Sequence, residues 1–438
     1  MVKQLTIEKH DCEQLLGQWL DDSHYDQIIT ADTDLYALDR VNEVNNEANI
    51  IFKFRKGVFS KEEQEGAYAG LYEAAIETQN RGLAAGPRAG QNGKRDWVTP
   101  LQEDVLDAIF TAPTSGFEDE EEYDFDAIEA AIAKHKPDDA GRGRVWLRDK
   151  IKKTGIEYSE FFDWWLDSVR PLSAKERKVE AKSMVKKYIS DTSYANTVNS
   201  GIAGWFDRYP RIPYGRATSY TEKNPEMFAL SYPYLQTLAR KFEELLPERY
   251  GKQIEFTNEI DPKFVVPETP YTTLTVNKTF RTAAHRDAGD FTKGFSNISC
   301  ISPDGKKSWD GCLFVLPEYR IAVELHPGDL LLVNNHDGIH GNTQILGDDP
   351  IRISIVAYAR EKMANLGSFE YETLRKNFVD HRRLNEEHAE WRPLWNGVSP
   401  NMWETQEWYD YLSEHGGQDM LTKYHPNSAG VASLEDLF

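Results

Sequence analysis

The stretch RTAAHRDAGDF, residues 281–291, sets His285 and Asp287 two residues apart, with Arg281 and Arg286 beside them. On an extended chain, residues i and i+2 share a face, about 6–7 Å apart. An imidazole and a carboxylate in that relation can converge on one metal ion. A third ligand is expected from another strand. About fifty residues on stands LLLVNNHDGIHGN, which holds His336 and His340. Of the two, His340 is the chosen ligand, because HGN after a turn suits a side chain entering a site; His336, nearer the strand end, is the alternative. Two imidazoles and one carboxylate on one face of a metal leave three positions open, which suits non-haem Fe(II).

Twelve residues after His340, IRISIVAY places Arg352 and Ser354 in the same i, i+2 relation. A guanidinium grips a carboxylate with two parallel hydrogen bonds, and a hydroxyl can add a third. Such a pair can hold the distal carboxylate of 2-oxoglutarate while the keto-acid end and O2 take the open metal positions. A zinc hydrolase would leave Arg352 and Ser354 without a task. Asn297, in GFSNIS, is a further candidate contact for cosubstrate or substrate.

These residues need β-strands to carry them. Between residues 195 and 365, short runs rich in β-branched and aromatic residues alternate with turn signals: KFVVPETPYTTLTVN, NISCIS, GCLFVLPEY, IAVEL, DLLLVNN and IRISIVAYA. That rhythm predicts an antiparallel sandwich or barrel. Ahead of it, YPYLQTLARKFEELLPE puts Leu235, Leu238, Ala239, Phe242, Leu245 and Leu246 on one face of a helix. Residues 1–194 read as mostly helical, including 62–79 and the aromatic EYSEFFDWWLDSV; GLAAGPRAGQNGKRDW reads as a loop. Residues 366–438 read as a helical tail docked by Trp391, Trp395, Trp403 and Trp408. The expected class is therefore α+β, a β core with helical regions on both sides.

The order TFRTAAHRDAGDFTKGFSNIS, PGDLLLVNNHDGIHGNTQI, IRISIVAYAREK resembles the TET/JBP branch of the Fe(II)/2-oxoglutarate dioxygenases, which has 5-methylcytosine oxidases, base-J thymine hydroxylases and phage relatives. The segment GIAGWFDRYPRIPYGRATSYTEKN is similar to the lead-in of base-J-like and phage members. The resemblance covers roughly residues 195–365. It implies a double-stranded β-helix, iron on His285, Asp287 and His340, 2-oxoglutarate on Arg352, and oxidation of a pyrimidine 5-methyl group in DNA. It does not separate thymine from 5-methylcytosine.

Composition bounds the partners. The net charge of −21 excludes diffuse attraction to nucleic acid. Locally the balance differs: residues 195–365 hold 19 Lys+Arg against 21 Asp+Glu, and residues 142–187 hold 13 against 7. The acidic EDEEEYDFD at 118–126 reads as a solvated segment. A DNA groove would draw on Arg208, Arg211, Arg216, Arg281 and Arg286, and on the basic 142–187 stretch. The competing role for Arg281 and Arg286 is ion pairing with local carboxylates. Other readings are a 2-oxoglutarate hydroxylase of a protein side chain or small molecule, and a non-enzymatic β-sandwich module. Three scattered cysteines, no apolar run long enough to span a bilayer and no apolar leader point to a cytoplasmic protein without a membrane partner.

Overall fold

The computed structural model describes residues 2–37, 47–78, 81–87, 176, 196–209, 212–287, 289–384, 402–417 and 420. Strands in the first part of the chain are β1 (Lys3–Ile7), β2 (Gln27–Ile29), β3 (Thr33–Ala37), β4 (Ile50–Arg55), β5 (Ile76–Thr78), β6 (Val198–Phe206) and β7 (Arg216–Ala217). The later ones are β8 (Thr273–Lys278), β9 (Ser296–Ile301), β10 (Asp310–Gly311), β11 (Phe314–Leu316), β12 (Ile321–Val323), β13 (Leu330–Val333), β14 (Gly341–Asn342), β15 (Ile345–Leu346) and β16 (Ile353–Tyr358). Helices are α1 (Lys61–Leu71), α2 (Ser219–Lys223), α3 (Pro225–Ala229), α4 (Tyr232–Leu245), α5 (Pro247–Asn258), α6 (Phe369–Leu384) and α7 (Gln406–Glu414).

The chain divides into two compact units. One takes Met1–Leu16, Leu20–Thr78 and Val198–Phe438; the other takes Gly17–Trp19 and Gln79–Thr197. In the second, a single 3-10 turn over Gly82–Ala85 is described, and the Asn196 carboxamide donates to the carbonyls of Ala85 and Gly86 at 2.8 and 3.2 Å.

The first unit is built on two main sheets, with β10 and β15 paired as a separate two-stranded ribbon. The large one runs β1-β3-β4-β13-β9-β16-β8-β6-β5, with β7 paired to β6; the small one runs β14-β11-β12-β2. Together they form a double-stranded β-helix. Every residue of β9, SNISCI, is buried, because the large sheet is covered on both faces. Ile298 and Cys300 point between the sheets, where they join Phe52, Phe54, Phe314, Leu316, Ile321, Val323, Leu331 and Val333. The opposite face presents Leu274, Val276, Ile301, Leu330, Leu332, Ile353, Ile355 and Ala357 to α1 and α4. Leu235, Leu238, Ala239 and Phe242 of α4 fill that layer, as the helical spacing predicts.

Three expectations change here. The helical reading of residues 1–194 does not hold for residues 3–78, which supply five strands, four of them to the large sheet and β2 to the small one. Nor does the boundary near 194 separate them from the core: they lie in its unit. The predicted helix over 62–79 stops at Leu71, and Ile76–Thr78 pair with β6 instead. Tertiary pairing overrides good helix formers there. The segment EYSEFFDWWLDSV, the acidic run, all of 142–187 except Glu176, and Trp391 and Trp395 lie outside the described residues.

In the C-terminal part, Trp403 and Trp408 are buried with Tyr214, Tyr371, Phe378, Met402 and Leu412. A second small cluster covers the outside of the small sheet: Cys12 and Leu20 with Leu313, Val315 and Ala322, joined by Ala284 and Ile339.

Candidate metal centre

Beyond β8 the chain runs irregularly past residues 279–287 beside the arm that follows β13. Asn342 N donates to Thr282 O at 2.8 Å, and Asp287 N to Asn335 O at 3.1 Å. Between these, His285 N donates to His340 O at 2.9 Å and His340 N returns to His285 O at 3.0 Å. The two histidines are thus a hydrogen-bonded antiparallel pair, which sends both side chains to the same face. The sequence reading placed His285 on a regular strand; the structure supplies this single bridge instead. Close approach requires Gly341: a Cβ there would lie 2.9 Å from the Ala283 carbonyl.

The rings converge. His285 Nε2 lies 3.5 Å from Asp287 Oδ1, and His340 Nε2 lies 3.7 Å from Asp287 Oδ2. One ligand atom from each of the three lies within 4.8 Å of the others. His285 Nδ1 contacts Ala283 O at 2.8 Å and His340 Nδ1 contacts Gly338 O at 3.0 Å. A carbonyl only accepts, so each Nδ1 carries the proton and each Nε2 turns its lone pair to the site. That is the tautomer a metal needs. Asn335 Nδ2 holds the second carboxylate oxygen of Asp287 at 3.0 Å. Exposure of the side chains rises from 4% at His340 to 14% at His285 and 28% at Asp287, so the carboxylate faces the opening. His336 is not in the group, and its Nδ1 is buried without a partner.

Electrostatics agree with a cation site. Burial opposes ionisation of Asp287, but at the acid pH where that carboxyl titrates His285 is protonated and donates to it, and with His340 outweighs burial and holds the carboxyl below its ordinary range; burial lowers His285, but the same pairing outweighs that and raises it. Burial, with His285 alongside, pushes His340 down to about 4, so it stays neutral and able to ligate. Asp290 is a residue the sequence reading missed, although HRDAGD shows it three positions after Asp287. It is buried, receives a hydrogen bond from Ser296 Oγ at 3.0 Å, and is pushed up to about 8 by burial and then by Asp287.

Arg352, just before β16, and Ser354 within it are buried on the side that looks between the sheets. The Arg352 guanidinium lies over the Trp309 ring at 5.8 Å, and its Nε has no hydrogen-bond partner. Among the described residues no carboxylate pairs with it. His340 stacks on Phe314 at 5.4 Å, and Phe314 packs in the same between-sheet cluster as Trp309.

Asn297 falls elsewhere. It pairs in register with Leu332 and Ala357, which face the helices, and its carboxamide donates to Phe295 O at 2.9 Å. Strand alternation therefore turns it away from the Arg352 face. The arginines differ too. Arg208 is buried against Glu372. Arg281 donates to Leu20 O at 2.7 Å. Arg286 pairs with Glu13 and Glu318 at 2.5 and 3.5 Å. Those internal contacts take up guanidiniums that the sequence reading assigned to phosphates. Arg216 donates to Asp207 O at 3.0 Å and lies over the Phe206 and Tyr209 rings at 5.1 and 6.0 Å. Arg211 lies outside the described residues.

Residues 202–361 match the family model of the TET/JBP oxygenase domain of the 2OGFeDO superfamily. A thymine dioxygenase JBP1 of Leishmania braziliensis is 34% identical over 177 residues, 39% of this chain and 21% of that protein. A bifunctional helicase and thymine dioxygenase JBP2 of Trypanosoma brucei brucei is 32% identical over 213 residues, 47% of this chain and 19% of that protein. The chain thus spans about a fifth of the length of these curated relatives. A solved structure of NgTET1 in complex with 5mC DNA aligns with TM-score 0.34 and 16% identity, over 41% of this chain and 69% of that one. Residues 202–361 are a TET/JBP-type oxygenase domain.

Proposed function

We propose that the protein is an Fe(II)- and 2-oxoglutarate-dependent dioxygenase that hydroxylates the 5-methyl group of a pyrimidine in DNA. The observation that carries the reading is the convergence of His285, Asp287 and His340, with both imidazoles presenting Nε2. In this reading those three hold ferrous iron, which with 2-oxoglutarate and O2 supplies oxidation of a C–H bond coupled to release of succinate and CO2. Arg352 receives the distal carboxylate of 2-oxoglutarate on its guanidinium, whose buried Nε–H has no partner, with Ser354 beside it. Asn335 steadies Asp287 so that one oxygen stays free for the metal. A base in duplex DNA must leave the stack to reach such a site. The match of residues 202–361 to this oxygenase family supports the DNA substrate, and the similarity to trypanosomatid thymine dioxygenases favours thymine. Arg216, over Phe206 and Tyr209, is in this reading a candidate to meet a phosphate or stack a base.

A second reading, a hydroxylase of a protein side chain or small molecule, draws on a specific observation. Arg208, Arg281 and Arg286 are engaged internally on a chain of net charge −21, which weakens a local basic groove.

The test is anaerobic loading with Fe(II) and 2-oxoglutarate, then admission of air with DNA bearing thymine or 5-methylcytosine. Mass analysis of the nucleosides is expected to show one added oxygen on the methylated pyrimidine, with succinate formed in step. Succinate without a modified nucleoside would favour the second reading. No turnover of 2-oxoglutarate would overturn both.

A further inference from the structure

We propose that Glu318 is a positioning residue for the metal centre: its one buried carboxylate ties together, from behind, the two segments that deliver the ligands. The proposal rests on the reading of His285, Asp287 and His340 as a metal site. Glu318 follows β11 in a 3-10 turn, Pro317–Tyr319, and is 2% exposed. Its Oε2 accepts from Ile339 N at 2.8 Å, the residue before His340. Its Oε1 faces Arg286 at 3.5 Å, the residue between His285 and Asp287. Lys9 approaches the same oxygen at 3.3 Å.

Alternation explains why the brace stands behind the site. His285 and Asp287 face the ion position, so Arg286 projects the other way. Ile339 likewise turns back into the cluster with Ala284, Cys12 and Leu20. Arg286 also donates through Nε to Asp337 O at 3.1 Å, on the loop leading to His340. The two ligand-bearing segments are therefore joined by one carboxylate and one guanidinium in addition to the His285–His340 bridge. Lys9 and the backbone contact from His10 N to Glu318 O at 2.8 Å recruit the N-terminal segment to the same anchor. Without the carboxylate, Ile339 N loses its acceptor, and Lys9 and Arg286 lose the anion between them. Outer groups that orient metal ligands typically govern metal affinity by about 10–100-fold.

The experiment is anaerobic spectroscopic titration with Co(II), a visible stand-in for iron, on wild-type protein, Glu318→Ala, Glu318→Gln and His285→Ala, beside thermal unfolding of each. Glu318→Ala is expected to weaken Co(II) binding about 10–100-fold and to alter the visible absorption of the bound ion. Glu318→Gln keeps an acceptor for Ile339 N but not the charge, and should fall between. A merely structural Glu318 would lower the unfolding temperature and leave Co(II) affinity and spectrum unchanged; that result overturns the brace. Should Glu318→Ala not fold, wild-type affinity in Glu318→Gln overturns it equally. If His285→Ala binds Co(II) as wild type does, the metal reading itself fails, separately from the brace.

Discussion

His285 and His340 exchange both backbone hydrogen bonds, N to O at 2.9 and 3.0 Å, across 54 intervening residues. Their rings sit 4.3 Å apart between centroids, at 48° to each other. The backbone thus sets the spacing of two donor atoms before any metal arrives, and Asp287 closes the triangle two residues on.

Replacing a member of that triangle should remove metal binding, and replacing His336 should not. His285→Ala and His340→Ala are expected to weaken Co(II) or Fe(II) affinity by more than the roughly 10–100-fold of an outer-group change. His336→Ala should bind like wild type in the same anaerobic titration. A weakened His336→Ala protein would reassign the third ligand.

Gly341 makes the bridge possible, so Gly341→Ala should disturb it. The new Cβ would press on the Ala283 carbonyl at 2.9 Å, and the backbone must move apart. Overpacking of this kind costs about 1–3 kcal/mol. Thermal unfolding should register it, and metal affinity should fall with it.

Arg352→Ala should raise the 2-oxoglutarate concentration needed for half-saturation. A charged hydrogen-bonding group contributes about 1.5–3 kcal/mol, or roughly 10–150-fold in affinity. Calorimetry on the anaerobic metal-loaded protein measures it. Asn297→Ala, on the opposite face of the sheet, should leave that affinity as it was.

Glu372 joins α6 to the core. Its carboxylate accepts from Arg208, from Gly215 N at 2.6 Å and from Gly367 N at 2.9 Å. Burial opposes its charge, but Arg208 outweighs burial and lowers its pKa. A lowered acid stabilises the fold fully above the ordinary glutamate value, near about 4.3, and this is lost as pH falls below it through the folded-state value. Glu372→Gln should therefore cost about 3–5 kcal/mol at neutral pH, because Arg208 is left buried without its partner. The gap to wild type should narrow in acid-unfolding curves below about pH 4. A constant gap across that range would refute the assignment.

The chemistry was legible because it is written in residue types at short spacing. His285-x-Asp287 and Arg352-x-Ser354 each share a face of an extended chain, whatever surrounds them. The six β runs between 263 and 359 were legible for the same reason: β-branched and aromatic residues between turn signals. The face that Asn297 takes was not legible, since only pairing with Leu332 and Ala357 tells which face is which.

By itself the sequence determined His285, Asp287 and a choice between His340 and His336 as candidate donors, the order of the parts and the β character of the core, since these depend on local spacing and side-chain chemistry. Only the tertiary structure decided that residues 3–78 contribute five strands to that core, that Arg208, Arg281 and Arg286 serve internal contacts, and that Glu318 stands behind the ligands. Partners such as Arg286 and Glu13, 273 positions apart in the chain, meet only when the fold brings their two irregular segments together, and no local pattern encodes it.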